Sequence, residues 1–263
     1  MTLCGSQIFR RANLALVPLT VFLLSNVGHA APPTAITTCP FVITEPGQYY
    51  LATDLLECPR VGIEVIGIDI QASHVHLRLD GHRIVGFSFI GAGIRAIDQT
   101  DILIQGPGTI TSFPYGLDFQ NVDFSTVVQV TARGNRVGVL LDHGSNNLLQ
   151  GNEAGAGDLG FGIEIIGSSE NKVISNLVPV DGRLGRGIAL LGGAELNEVH
   201  ANIVTGTRFS AKGILVQRFS TQNNIAGNTA LANDLDMQDE NPDCDDNQWH
   251  GNRFDTANQS CIQ

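Results

Sequence analysis

Four residues of this 263-residue chain have types and spacing suited to proton transfer: Asp118, Asp142, His143 and Glu164. Arg136 and Arg186 lie near them in the sequence. Two carboxylates held a few ångströms apart can divide the work of general acid and general base. A carboxylate cluster can instead hold Ca²⁺ and leave an arginine as the base of a lyase. Arg95, Arg136, Arg186 and Lys212 are candidates for binding substrate or stabilising developing negative charge. The competing reading is a solvated wall of alternating charge. No metal-ligand set is assigned.

Two repeated patterns must position these residues. Gly followed by apolar-x-apolar recurs as Gly138-Val139-Leu140-Leu141, Gly162-Ile163-Glu164-Ile165, Gly187-Ile188-Ala189-Leu190 and Gly213-Ile214-Leu215-Val216. Asn-x4-Asn occurs five times, as Asn147/Asn152, Asn171/Asn176, Asn197/Asn202, Asn223/Asn228 and Asn247/Asn252. Copies 24 or 26 residues apart indicate a solenoid, in which each unit buries its apolar face against its neighbours. Period-two alternation of Val, Ile and Leu, broken by Gly and Asn, is strand and turn spacing. The expectation is an all-β, single-domain parallel β-helix of about eight coils.

In such a coil the x residue points outward. The outward column is read as Asp69, Arg95, Asp118, Leu140, Glu164, Ala189, Leu215 and Asp236. Neighbouring coils lie ~4.8 Å apart, so carboxylates on nearby rungs can approach glycosidase separations. The entering loops carry Arg133, Arg136, Asp158, Asp181, Arg183, Arg186, Arg208 and Lys212. Asn suits the recurrent turn because it tolerates left-handed backbone and its amide can bond the equivalent Asn in the next coil.

Gly-Ile-x-Ile followed by Asn-x4-Asn resembles the right-handed parallel β-helix repeats of the pectate-lyase-like superfamily, across residues 62–255. That superfamily includes carbohydrate-binding and sugar-hydrolase modules and the periplasmic NosD-like proteins. The resemblance implies a polysaccharide lying across the outer face of the Gly-apolar-x-apolar strand. It equally leaves open a non-catalytic envelope scaffold, or a metal-handling accessory of the NosD-like kind, which is linked with copper. The Asn-Thr-Asp, Asp-Asp, Gly-His-Gly and Arg-Ile-Lys set of polygalacturonases is absent. So are the Asp-Pro-His-Asp motif of alginate epimerases and the Arg-x-Pro-x-x-Arg motif of pectate lyases.

Residues 1–30 read as a secretory signal: Arg10 and Arg11, an apolar run from Leu14 to Leu24, and a small-x-small site at Gly28-His29-Ala30. The apolar run is too short for a membrane span. The implied location is secreted or periplasmic. Removing the leader takes the formal net charge from −11 to −13, which argues against nucleic acid as a partner.

The remaining cysteines, Cys39, Cys58, Cys244 and Cys261, stand two at each end of the solenoid. Export favours disulfides, and three pairings exist. The local one, Cys39–Cys58 and Cys244–Cys261, is expected because each end needs a cap. Residues 31–61 read as the N-terminal cap, 62–238 as coils and 239–263 as the last coil and cap, with Trp249 plugging it. His74 and His76 flank inward Val75 and read as a solvated strand face. Asp243, Asp245 and Asn247 have alternating ligand spacing but lack the other parts of a calcium loop, and read as cap chemistry.

Overall fold

The computed structural model describes residues 32–60, 62–87, 89–206 and 210–263. The expected leader and Arg208 lie outside the described residues. Ala31–Gln263 form one compact unit. Its short strands stack coil upon coil into three sheets of ten, nine and seven strands. The pairing is parallel, as in the central run of the nine-stranded sheet. The only helix among the described residues is a 3-10 turn at Pro242–Cys244.

The nine-stranded sheet collects the Gly-apolar-x-apolar segments. After Phe41–Ile43 come Val65–Ile70, Gly91–Ile97, Tyr115–Gln120, Val137–Asp142, Phe161–Ile166, Arg186–Leu191, Lys212–Val216 and Leu235–Asp239. These last eight mark the eight coils. Their inward residues stack in register as Ile68, Ile94, Leu117, Val139, Ile163, Ile188, Ile214 and Met237, all fully buried. The repeated Gly is needed because neighbouring coils approach closely. A Cβ on Gly162 would lie 2.3 Å from Val178 Cγ1 and 2.7 Å from the Ala154 carbonyl.

The paired asparagines form two buried ladders. Asn197 donates from its backbone N–H and its Nδ2 to Asn223 Oδ1 at 3.0 and 3.1 Å. The same Nδ2 donates to the Ser168 carbonyl in the coil on the other side, at 2.9 Å. The pattern runs from Asn147 through Asn171, Asn197 and Asn223 to Asn247. A second ladder runs from Asn152 through Asn176, Asn202 and Asn228 to Asn252. The left-handed residue is not the asparagine, however, but the one before it: Glu170, Ser175, Leu196, Ala201 and Gln222 have φ of 57°, 56°, 58°, 53° and 59°. The preceding residue takes the chain reversal, which leaves each Asn turned inward to reach the next coil.

Disulfides Cys39–Cys58 and Cys244–Cys261 close the two ends, with Cα separations of 5.2 and 6.0 Å. Trp249 is buried in the last coil and donates its Nε1–H to Asp239 at 2.9 Å. One expected position is corrected. Leu215 pairs with Gln238, so Gln238 and not Asp236 ends the outward column. Asp236 is buried instead, accepting backbone N–H groups of Asn233, Asp255 and Thr256. The last strand has no opening Gly to fix its register by sequence.

Candidate functional site

Strand register places Asp118, Leu140 and Glu164 side by side on three successive coils. Two rungs of roughly 4.8 Å put the two carboxyl-bearing backbones roughly 10 Å apart. Two rows flank this column. On the entering side Tyr115, Val137, Phe161, Arg186 and Lys212 align. On the leaving side Gln120, Asp142, Ile166 and Leu191 align. The larger side chains of both rows are half-buried, whereas Asp118 and Glu164 between them are only 6% and 8% exposed. The column is therefore the floor of a shallow trough, not a fully solvated wall.

Burial sets the chemistry of the two acids. Glu164 is pushed from its ordinary 4.5 up to about 7, chiefly by desolvation, with Asp142 adding to the rise and Arg136 and Arg186 opposing it. No group among the described residues hydrogen-bonds its carboxyl. Asp118 is also raised by desolvation, but the Gln120 amide bonds both its oxygens, at 3.0 and 3.2 Å, and favours the ionised form. The environments differ in one respect: Gln120 favours the ionised form of Asp118, and no such donor among the described residues serves Glu164. Tyr115 is raised by burial and by the charges of Asp118, Glu164 and Asp142, which places its phenol within their electrostatic reach.

Arg136 joins this trough to a second feature. Its guanidinium makes no hydrogen bond or ion pair with the described residues, yet it acts electrostatically on both Glu164 and Tyr115. It also lines a recess of about 650 Å³ with Phe87, Phe89, Ser112, Phe113, Pro114 and Gly134. Phe87 and Phe89 are 66% and 97% exposed, as Phe124 and Phe219 are at 64% and 78%, but only the first pair lines this recess.

The other expected residues are placed differently. Arg95 is engaged by Asp69 at 3.1 Å and Glu64 at 3.0 Å, so it is tied within the wall. Arg186 stacks over the Phe161 ring at 5.1 Å. Lys212 lies one coil beyond Arg186, at the far end of the flanking row. His143 is exposed, with Nδ1 2.6 Å from Asp142 Oδ1, on the leaving rim. Tyr115, Phe161, Phe87 and Phe89 were not among the sequence candidates. The first two stand immediately before the repeated Gly, a position that signals them. Phe87 and Phe89 fall outside the repeat and carry no such signal.

Away from the trough, His74 meets Asp101 at 2.8 Å, His76 meets Gln105 at 3.0 Å and His82 meets Asp54 at 3.2 Å. His76 and His200 lie on separate strands of the ten-stranded sheet.

Comparison with solved structures finds a shared fold. The Dettilon tailspike protein superposes with a TM-score of 0.53 at 12% identity, over 86% of this chain and 54% of the tailspike. The chain thus spans about half of that protein's length. The enzymatically active domain of bacteriophage CBA120 tailspike protein 2 is matched at 10% identity over 84% of this chain and 41% of that one, with a TM-score of 0.27 that carries no argument. No curated protein sequence matches. A family profile described as periplasmic copper-binding protein (NosD) matches residues 77–260, most of the coils and the C-terminal cap. By that match the chain belongs to the NosD family of parallel β-helix proteins.

Proposed function

We propose that this is an exported protein that binds a polysaccharide along the trough floored by Asp118, Leu140 and Glu164, and hydrolyses it there by acid–base catalysis. The observation that carries the reading is Glu164: a buried acid with no hydrogen-bond partner among the described residues, its carboxyl pushed up to about 7 by desolvation, within electrostatic reach of an Arg136 guanidinium that pairs with none of them. Most buried structural carboxylates are bonded or ion-paired within the protein. In the proposed reaction Glu164 gives its proton to the departing glycosidic oxygen. Asp118 takes a proton from the water that attacks the anomeric carbon. A two-rung separation is close to the ~6.5–9.5 Å that leaves room for that water. Export is supported by the two disulfides and by the periplasmic description of the family.

The family description also raises copper. Soft thiolate and thioether donors or clustered imidazoles suit that ion. Here the four described cysteines are in disulfides and Met237 is fully buried in the core. His74, His76, His82 and His143 are each engaged by a neighbouring side chain. No three His, Cys, Asp or Glu among the described residues converge as a metal site. His200 and His250 stand two rungs apart with Ala226 between them, so no clustered donor set of the kind copper prefers is assembled among the described residues. Nor does the trough fit a calcium-dependent lyase, because Leu140 separates Asp118 from Glu164 and His143 engages Asp142.

The test is a panel of polysaccharides offered to the purified protein, with reducing ends counted over time. Asp118→Asn and Glu164→Gln should each lower turnover by at least ~100-fold while the protein stays folded. If both variants match the wild type, the trough is not the reacting centre.

A further inference from the structure

The recess beside Arg136 is lined mostly by carbon. Among the described residues its lining is Phe87, Phe89, Phe113, Pro114 and Gly134, with polar side chains from Ser112 and Arg136. Three backbone donors along the wall are already spent. The Ser112 N–H goes to the Gly134 carbonyl at 3.1 Å, the Phe113 N–H to Asn135 Oδ1 at 3.0 Å, and the Arg136 N–H to the Phe113 carbonyl at 3.2 Å. Pro114 has no N–H to offer. An alkyl group loses nothing against carbon, whereas any sugar hydroxyl that gave up its water there would need a new partner. The space suits carbon, with one strong hydrogen-bond donor, the Arg136 guanidinium, at its edge.

We propose that the recess receives an acyl substituent carried on the bound glycan. The alkyl part lies against Phe87, Phe89 and Phe113, and the acyl carbonyl oxygen accepts from Arg136. This rests on the polysaccharide reading above and adds the class of substrate to it. The placement is coherent with the trough, because Arg136 acts electrostatically on Glu164 and Tyr115 as well as lining the recess. A substituent anchored at Arg136 would set which sugar residue lies over Asp118 and Glu164. Phe87 and Phe89 are then the exposed wall against which the acyl group lies. Ester-linked and amide-linked acyl groups share this chemistry, and the experiment separates them.

The test measures binding to matched glycan pairs. One arm uses O-acetylated polysaccharides and the same polymers after mild saponification. The other uses N-acetylated hexosamine oligomers and their de-N-acetylated forms. The wild type is expected to prefer the acylated member of at least one arm by roughly tenfold, the scale of burying one or two carbon groups. The surface double variant Phe87→Ser/Phe89→Ser should bind both members alike, at the affinity of the wild type for the unacylated one. Equal binding of both members by the wild type overturns this inference and leaves the polysaccharide reading standing. A preference that survives in the double variant also overturns it, by placing the acyl group elsewhere. Binding to neither member of any pair overturns both.

Discussion

Replacing Asn202 with alanine removes one rung of a ladder whose bonds can be counted. Asn202 Oδ1 accepts the Asn176 N–H at 2.9 Å and the Asn176 Nδ2 at 3.0 Å. Its Nδ2 donates to the Val173 carbonyl at 2.8 Å and to Asn228 Oδ1 at 3.0 Å. All of these groups are buried. After truncation Asn176 Nδ2 keeps its bond to the Leu149 carbonyl, and Asn228 Oδ1 keeps the Asn202 N–H. The Asn176 N–H is left with no acceptor in a dry turn. At about 1–3 kcal/mol for a buried orphaned group, plus the lost neutral bonds, the expected cost is about 2–4 kcal/mol. Because a solenoid need not unfold in one step, a global midpoint is a blunt readout. Hydrogen exchange at the Asn176 amide reads the rung itself. It should quicken by about 30- to 1,000-fold, at about 1.4 kcal/mol per tenfold. Unchanged exchange at Asn176, with a denaturant midpoint equal to the wild type, would refute the ladder as a stabilising element.

Other outcomes follow from the same structure. Glu164 holds its proton more tightly folded than unfolded, so its stabilising effect is full below pH 4.5 and lost as pH rises through about 7. Glu164→Gln should therefore flatten the fall in stability between those values, which chemical denaturation at several pH values would show. Reducing Cys244–Cys261 should destabilise the C-terminal end by about 3 kcal/mol in the chain-entropy model, for a sequence separation of 17; peptide mapping without reduction would check that bond. Trp249→Phe should loosen the last coil by about 1–3 kcal/mol, because the buried Asp239 loses its indole donor; near-native hydrogen exchange at residues 248–252 is the readout.

The solenoid was legible because its information is periodic: Gly162-Ile163-Glu164-Ile165 states a strand, and its copies state what packs on it. The ladder partners were legible for the same reason, since Asn171, Asn197 and Asn223 repeat at the coil length. The identity of the left-handed residue was not, because Glu170, Leu196 and Gln222 share no type; the coil geometry imposes that conformation, and no preference of those residues announces it. Asp236 was misplaced where the opening Gly disappears and only pairing with Lys212 fixes the register. The acids of the trough could be read as outward, but not as buried, because burial depends on the flanking rows, where the large side chains of Tyr115 and Phe161 stand. Arg95 shows the converse: a cation in the right column is consumed by Asp69 and Glu64, a pairing that depends on stacking between coils. Phe87 and Phe89 gain their meaning only from Phe113 and Arg136 across the coil.

The central claim is that a glycan lies in the trough between the Tyr115–Lys212 row and the Gln120–Leu191 row. A crystal structure of Glu164→Gln with an oligosaccharide bound by the wild type tests it directly. The account predicts sugar density over Leu140, with ring oxygens within hydrogen-bond reach of Asp118 and Arg136 and the scissile bond between positions 118 and 164. Density on the ten-stranded or seven-stranded sheet, or at an end of the solenoid, with the trough empty, would contradict it.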